Sequence, residues 1–185
     1  NIVGTAGDDT LTGDSNANLM IGGTGTDTLN GGAGNDTLYD DISDNLPQTG
    51  MSNESSSYES GAKGNDTLNG GAGNDTLIAS AGNDTLDGGT GADTLTGGAG
   101  VDTFIIRASD GGSSISDADT ITDFTDGTDI LGLDSSVNYS DLSFSQSGND
   151  TVISKGSEYL LKLSNISTSV IGIPDFSSTT TTAQT

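Results

Sequence analysis

Bulky apolar residues are few in the first hundred positions, and they are evenly spaced. Counting from Gly4, one falls at the eighth place of every nine: Leu11, Met20, Leu29 and Leu38, then, after a break at 40–60, Leu68, Leu77, Leu86, Leu95 and Phe104. The nine units run from "GTAGDDTLT" to "GGAGVDTFI". Their usual Thr-Leu-x ending predicts a three-residue strand whose central side chain faces one way and whose neighbours face the other. The six residues before it, rich in Gly and Asn, accept positive φ and predict a tight reversal. With one reversal per unit, unit i stacks on unit i+2. The expected fold is all-β: a parallel β-roll with two nonapeptide units per 18-residue coil, a thin Leu-filled interior and a row of glycine turns along each edge.

Beyond residue 105 the pattern changes. "ISDADTITDFTDGTDILGL" (115–133) alternates around Ile121, Phe124, Ile130 and Leu133, and "DLSFSQSG", "DTVISKG" and "EYLLKLSNI" read as short antiparallel strands divided by Gly turns. A solenoid needs its last apolar rung covered, so 106–173 is expected to be a C-terminal antiparallel β cap over Leu95 and Phe104. The Ser/Thr-rich end, 174–185, is expected to be disordered. The break, "DDISDNLPQTGMSNESSSYES", reads as a surface loop extruded from one edge of the roll. A sharper reading has Asp40, Asp41 or Asp44 donating to an adjacent cation, or the loop contacting a partner.

Position six of the unit supplies the chemistry. It holds Asp9, Asn18, Asp27, Asp36, Asp66, Asp75, Asp84, Asp93 and Asp102, while position five varies among Asp, Ala, Thr, Asn and Val. Turn propensity alone does not explain an acid kept at one place in eight of nine units. Stacking brings the acids of units i and i+2 together, which is repulsive unless a cation lies between them. A hard cation takes about six to eight oxygens, and turns with little side-chain bulk can offer backbone carbonyls as well. Those of Gly23, Gly25, Gly32, Gly34, Gly71, Gly73, Gly89, Gly91, Gly98 and Gly100 are the candidates. Mg²⁺ sheds its waters reluctantly and soft metals find no ligand, so calcium is favoured, with roughly seven ions if every i/i+2 pair binds one. Asp93 and Asp102 lack successors two units on, and Asp119 and Asp123 are the best-placed replacements.

Composition narrows the remaining classes. The 185 residues include no Cys, His or Trp, which removes disulfides, zinc sites and thiol or imidazole catalysis. Four basic residues face 27 acids, and a net charge of −23 repels nucleic acid and anionic lipid. No apolar run is long enough to span a membrane. The sequence opens without Met or a signal pattern, which predicts either targeting information elsewhere or the end of a longer protein.

The unit resembles the G-G-x-G-x-D-x-U-x repeat of the RTX family, which forms calcium-binding rolls. That resemblance implies calcium held between successive turns, secretion by type I machinery, folding outside the cell, and an uncleaved export signal near the C-terminus. Asp119 to Leu131, D-x-I-x-D-F-x-x-G-x-D-x-L, resembles the segment that follows the roll in RTX exoproteins. Asn18 and the side chains at Thr5, Asp14, Ala62, Ala79 and Ser80 depart from the family pattern and predict weaker binding in the first coil. The leading expectation is a calcium-binding folding module of a secreted, extracellular protein. Alternatives are a surface-layer or adhesin fragment acting through cell-surface contact or self-association, and an accessory module of an upstream secreted enzyme. No catalysis is expected within the chain.

Overall fold

The computed structural model describes residues 1–40 and 64–178. The expected loop 40–60, apart from Asp40, and the expected tail from 179 onward lie outside the described residues, as does Ala62.

Each unit does contribute a strand, entered from a turn wherever the residues before it are described. The ten strands of the repeat are β1 (Ile2–Val3), β2 (Thr10–Thr12), β3 (Leu19–Ile21), β4 (Thr28–Ala33), β5 (Thr37–Tyr39), β6 (Thr67–Ala72), β7 (Thr76–Ile78), β8 (Thr85–Thr90), β9 (Thr94–Thr96) and β10 (Thr103–Ile106). Successive strands fall in alternate sheets, so odd-numbered strands pair with odd and even with even, all parallel. Register is kept by like residues: Leu11 lies beside Leu29, Leu29 beside Leu68, Leu68 beside Leu86, and on the other face Leu38 beside Leu77 and Leu77 beside Leu95. From Leu29 onward these position-eight side chains are fully buried, and with Met20 they form the interior that the spacing predicts. Two thin sheets face each other across one layer of Leu, which is the parallel β-roll.

The break leaves this register intact. Leu29 to Leu68 and Leu38 to Leu77 are neighbours in their sheets although more than two units of sequence separate them. Asp40, the first residue of the break, remains part of the roll: its N–H donates to the Ile78 carbonyl at 3.2 Å, and its own carbonyl accepts from the Gly23 N–H at 2.7 Å.

The C-terminal third departs from expectation in two ways. First, parallel stacking does not end at 105. Strands β11 (Asp119–Ile121) and β12 (Ile130–Leu133) add one more parallel member to each sheet, Ile121 covering Leu95 and Leu131 covering Phe104. Only then does the antiparallel part follow, as β13 (Leu142–Ser147), β14 (Asp150–Lys155) and β15 (Glu158–Leu163), with β15 laid parallel on β11. Second, 174–178 is ordered: Phe176–Ser178 forms β16, the last parallel strand on β12. Ladder bonds come from the backbone, so a Ser-rich segment can pair once Phe176 anchors it among Tyr139 and Phe144. Among the described residues three short 3₁₀ turns, at Ile115–Asp117, Tyr139–Asp141 and Ile173–Asp175, are the helical content, and no helix is long and apolar enough to cross a membrane.

A chain ending at Ile105 would leave β9 and β10 without β11 and β12 and expose Leu95 and Phe104. Light scattering and circular dichroism should then find aggregation on calcium addition, or a much higher calcium requirement for β-structure. A monomer folding at the calcium concentration of the full chain would count against a capping role for the last strands.

Candidate metal centres

Position six sits where each turn passes into its strand, so the fold stacks these residues in two columns, one along each edge. In the first column the Asp9 N–H donates to Asp27 Oδ1 (2.8 Å) and the Asp27 N–H to Asp66 Oδ1. The Asp66 N–H donates to Asp84 Oδ1 (2.8 Å), and the Asp84 N–H to Asp102 Oδ1 (3.0 Å). In the second, Asn18 donates in the same way to Asp36 (2.7 Å), Asp36 to Asp75 (2.6 Å) and Asp75 to Asp93 (2.8 Å).

Both columns run past the last unit. The Asp93 N–H donates to Asp119 Oδ1 at 2.9 Å, the place expected of a successor. The Asp102 N–H donates not to Asp123 but to Asp129 Oδ1, at 3.1 Å. Asp123 instead accepts the N–H groups of Gly97 (3.0 Å) and Gly98 (2.8 Å) in the coil before it. Sequence reasoning misses Asp129, although Asp129-Ile130-Leu131 repeats the acid-x-apolar ending of a unit. Nine stacked pairs result among the described residues, against the seven that the units alone predict.

These bonds use one oxygen of each carboxylate. Among the described residues the second oxygen, Oδ2, of Asp27, Asp36, Asp75, Asp84, Asp93 and Asp102 is buried with no hydrogen-bond partner. A buried carboxylate oxygen left unpaired is costly, and six in two rows point to a positive partner. The first coil differs: Asp9 Oδ2 accepts the Thr5 N–H (2.7 Å) and hydroxyl (3.2 Å), and Asn18 Oδ1 accepts the Asp14 N–H (2.8 Å). Its side-chain oxygens are taken up by the residues at position two.

The glycines explain why carboxylates fit there at all. At position one, a Cβ on Gly22 would lie 2.5 Å from Asp27 Oδ2 and 2.6 Å from the Asp40 carbonyl oxygen, and one on Gly70 2.5 Å from Asp75 Oδ2. Positions two and four take positive φ, as at Gly32 (100°) and Gly34 (120°), and turn carbonyls along the stack, so that a Cβ on Gly89 would strike the Gly71 carbonyl.

Electrostatics follows from burial. Desolvation pushes Asp66 up to about 7 and Asp75 and Asp84 up to about 6; the neighbouring acids push the same way, and the accepted N–H bonds partly oppose both. Burial, with the Asp93 charge beside it, likewise pushes Asp119 up, to about 9. Arg107 is an internal contrast: its guanidinium pairs with Asp87 and so neutralises an acid outside the columns. The donor set of the columns is oxygen only and anionic, which fits a hard divalent cation with flexible, high coordination, calcium before magnesium.

A family comparison points to the same cation. The family model described as the RTX calcium-binding nonapeptide repeat matches four times, over 3–38, 21–45, 60–86 and 78–105. No curated protein sequence matches the chain significantly. Among solved structures, the extracellular lipase LipA from Serratia marcescens is similar at 21% identity and a TM-score of 0.48, over 94% of this chain and 38% of the lipase chain. The AlgE6R2 subunit of the Azotobacter vinelandii mannuronan C5-epimerase is similar at 23% identity and a TM-score of 0.44, over 95% of this chain and 90% of that one.

Asp75→Asn, in mid-column, should raise the calcium midpoint of folding by about tenfold, whereas Asn18→Ala in the first coil should shift it little. Equal shifts in a calcium titration would mean that the coils do not differ in this way. Acidity offers a second test. Asp66, Asp75 and Asp84 have folded values raised above the ordinary 3.8, so protons stabilise the metal-free fold fully below about 3.8, and that contribution is lost as pH rises through about 6 to 7. In chelator, β-structure should therefore increase on acidification from pH 8 to 5. With calcium the sign reverses, because cation and proton compete, and the calcium midpoint should rise as pH falls below 7. A midpoint constant from pH 8 to 5.5 would contradict the assignment.

Proposed function

Residues 3–45 and 60–105 belong to the RTX calcium-binding nonapeptide repeat family, and from that premise we propose that this chain is a calcium-dependent folding module of a secreted protein. The observation that carries the reading is the row of buried, unpartnered carboxylate oxygens along each edge. In this reading Asp27, Asp36, Asp66, Asp75, Asp84, Asp93 and Asp102 hold calcium between successive coils. Asp119 and Asp129 serve as end ligands, Asp9 and Asn18 as weaker ones, and the turn carbonyls at positions two and four complete the shells. Bound calcium supplies positive charge between like charges and does no covalent chemistry.

The module's work is a change of state. Where calcium is scarce, as inside a cell, repulsion among 27 acids keeps the chain open and threadable through type I export machinery. Where calcium is plentiful, outside the cell, binding energy becomes folding energy and the roll forms. The C-terminal strands, 106–178, then close the end of the stack. Catalysis is not assigned to this segment, whose sequence offers no His or Cys.

Circular dichroism and small-angle scattering with and without calcium test this. In chelator at neutral pH the chain should be expanded with little β-structure, and millimolar calcium should produce a compact β-form cooperatively. Full β-structure in excess chelator at neutral pH would overturn the proposal.

A further inference from the structure

Asp40 is the first residue of the break in the repeat, yet it sits inside the stack. Its carbonyl lies over Gly22 as the Gly88 carbonyl lies over Gly70, 2.6 Å from an added Cβ in each case. Its N–H donates to the position-nine carbonyl of the next coil, as the N–H of Gly22 does to Tyr39 and that of Ala79 to Thr96. Asp40 is therefore position one of the interrupted coil, the coil whose position six is Asp66. Gly4, Gly13, Gly22, Gly31, Gly70, Gly88 and Gly97 hold this place in seven other coils, where a Cβ would press on the position-six side chain, and Ala79 brings only a methyl group to it in the Asp84 coil. Here the side chain is a carboxylate.

Its surroundings are specific. Asp40, Asp66 and Asp84 each bring a carboxylate oxygen within 4.8 Å of the other two, the one such group of three among the described residues, and all three are buried. Asp84 adds an independent sign of a ligand, since its Oδ2 is fully enclosed without a hydrogen-bond partner. Asp40 is also held in place. The Ser80 N–H donates to its Oδ2 at 2.8 Å and the Ser80 hydroxyl to its Oδ1 at 2.7 Å. Ser80 is itself a departure, standing at a position-two glycine site in the Asp84 coil. Two irregularities of the repeat thus meet and account for each other.

We propose that Asp40 makes the gap between Asp66 and Asp84 a three-carboxylate calcium site, stronger than the two-carboxylate gaps around it, with Ser80 as its positioning residue. The proposal rests on the calcium reading above and adds a ligand and a ranking of sites to it. Affinity for hard cations grows with the number of charged oxygens, and the advantage is larger for a trivalent than for a divalent ion. The same site fastens the point where the chain leaves the roll, so the first calcium bound also fixes the register across the interruption.

The test is a calcium titration by calorimetry, paired with terbium luminescence, on the full chain and four variants. Asp40→Gly restores the residue usual at position one, and Asp40→Asn keeps the volume while removing the charge. Ser80→Gly removes the hydroxyl that holds Asp40, and Asp141→Asn removes an exposed charge far along the sequence. Both Asp40 variants should weaken the tightest class of sites by about tenfold or more, and terbium should lose its first-filled site, while β-structure at saturating calcium and the weaker sites stay as in the parent. Asp141→Asn should change neither, and Ser80→Gly should give a smaller loss than Asp40→Gly. If the parent binds calcium cooperatively and the Asp40 variants keep its tightest class, this proposal fails and the calcium module stands. If the parent binds no calcium, both fail.

Discussion

Like charges held one coil apart are the constraint on which this molecule's structure turns. Parallel pairing sets neighbouring coils about 4.8 Å apart, and two unit charges at that spacing repel by about 3 kcal/mol at an effective dielectric constant near 20. The column bonds bring each carboxylate against the backbone of the coil before it, so the acids cannot swing away into water without breaking them. A coil can avoid the repulsion by protonating, towards which burial first and the neighbouring acids second push Asp66, Asp75 and Asp84, or by admitting a cation. Everything else in the repeat is arranged so that this choice recurs. Glycine at position one makes room for Oδ2, and glycines at positions two and four bend the chain so that the next acid lands in line.

The interior contributes less than in an ordinary domain. One Leu per unit fills the space between the two sheets, and Leu68, Leu77 and Leu86 are wholly buried with little depth of core around them. Such a core fixes register well, because each Leu has a like neighbour above and below, but its share of the stabilisation is modest. The C-terminal third reverses that balance. Val152, Ile153, Leu160, Leu161 and Leu163 pack there, the aromatic trio of Tyr139, Phe144 and Phe176 adds to them, and Arg107 satisfies Asp87 within the chain itself.

The roll is legible from sequence because each unit states the same demand at the same place: glycine to turn, an acid before the strand, one apolar residue in the strand. What lies past 105 is less so. Asp93 to Asp119 and Asp102 to Asp129 are 26 and 27 residues apart instead of 18, so the stacking partner survives while the two-unit spacing does not. For that reason the sequence points to Asp123, the nearer acid, and away from Asp129. Phe176–Ser178 is hidden differently: a strand at a sheet edge needs backbone groups and one anchoring side chain, and a Ser-rich composition conceals both. In the sequence Asp40 stands beside Asp41 and Asp44 as one loop acid among three, and only the stacking of its carbonyl over Gly22 separates it from them.

The antiparallel strands at the end of the chain have a kinetic consequence. β13, β14 and β15 are joined by two-residue turns at Gly148 and Gly156, so their contacts are local, whereas every rung of the roll pairs residues at least 18 positions apart. Loop closure costs less for the local pairs, and local topology forms fastest. Once formed, β15 offers β11 an edge, and β11 in turn offers one to β9. The C-terminal hairpins are thus the part of the fold whose closure costs least, and the strands of the roll are laid against an edge that they supply.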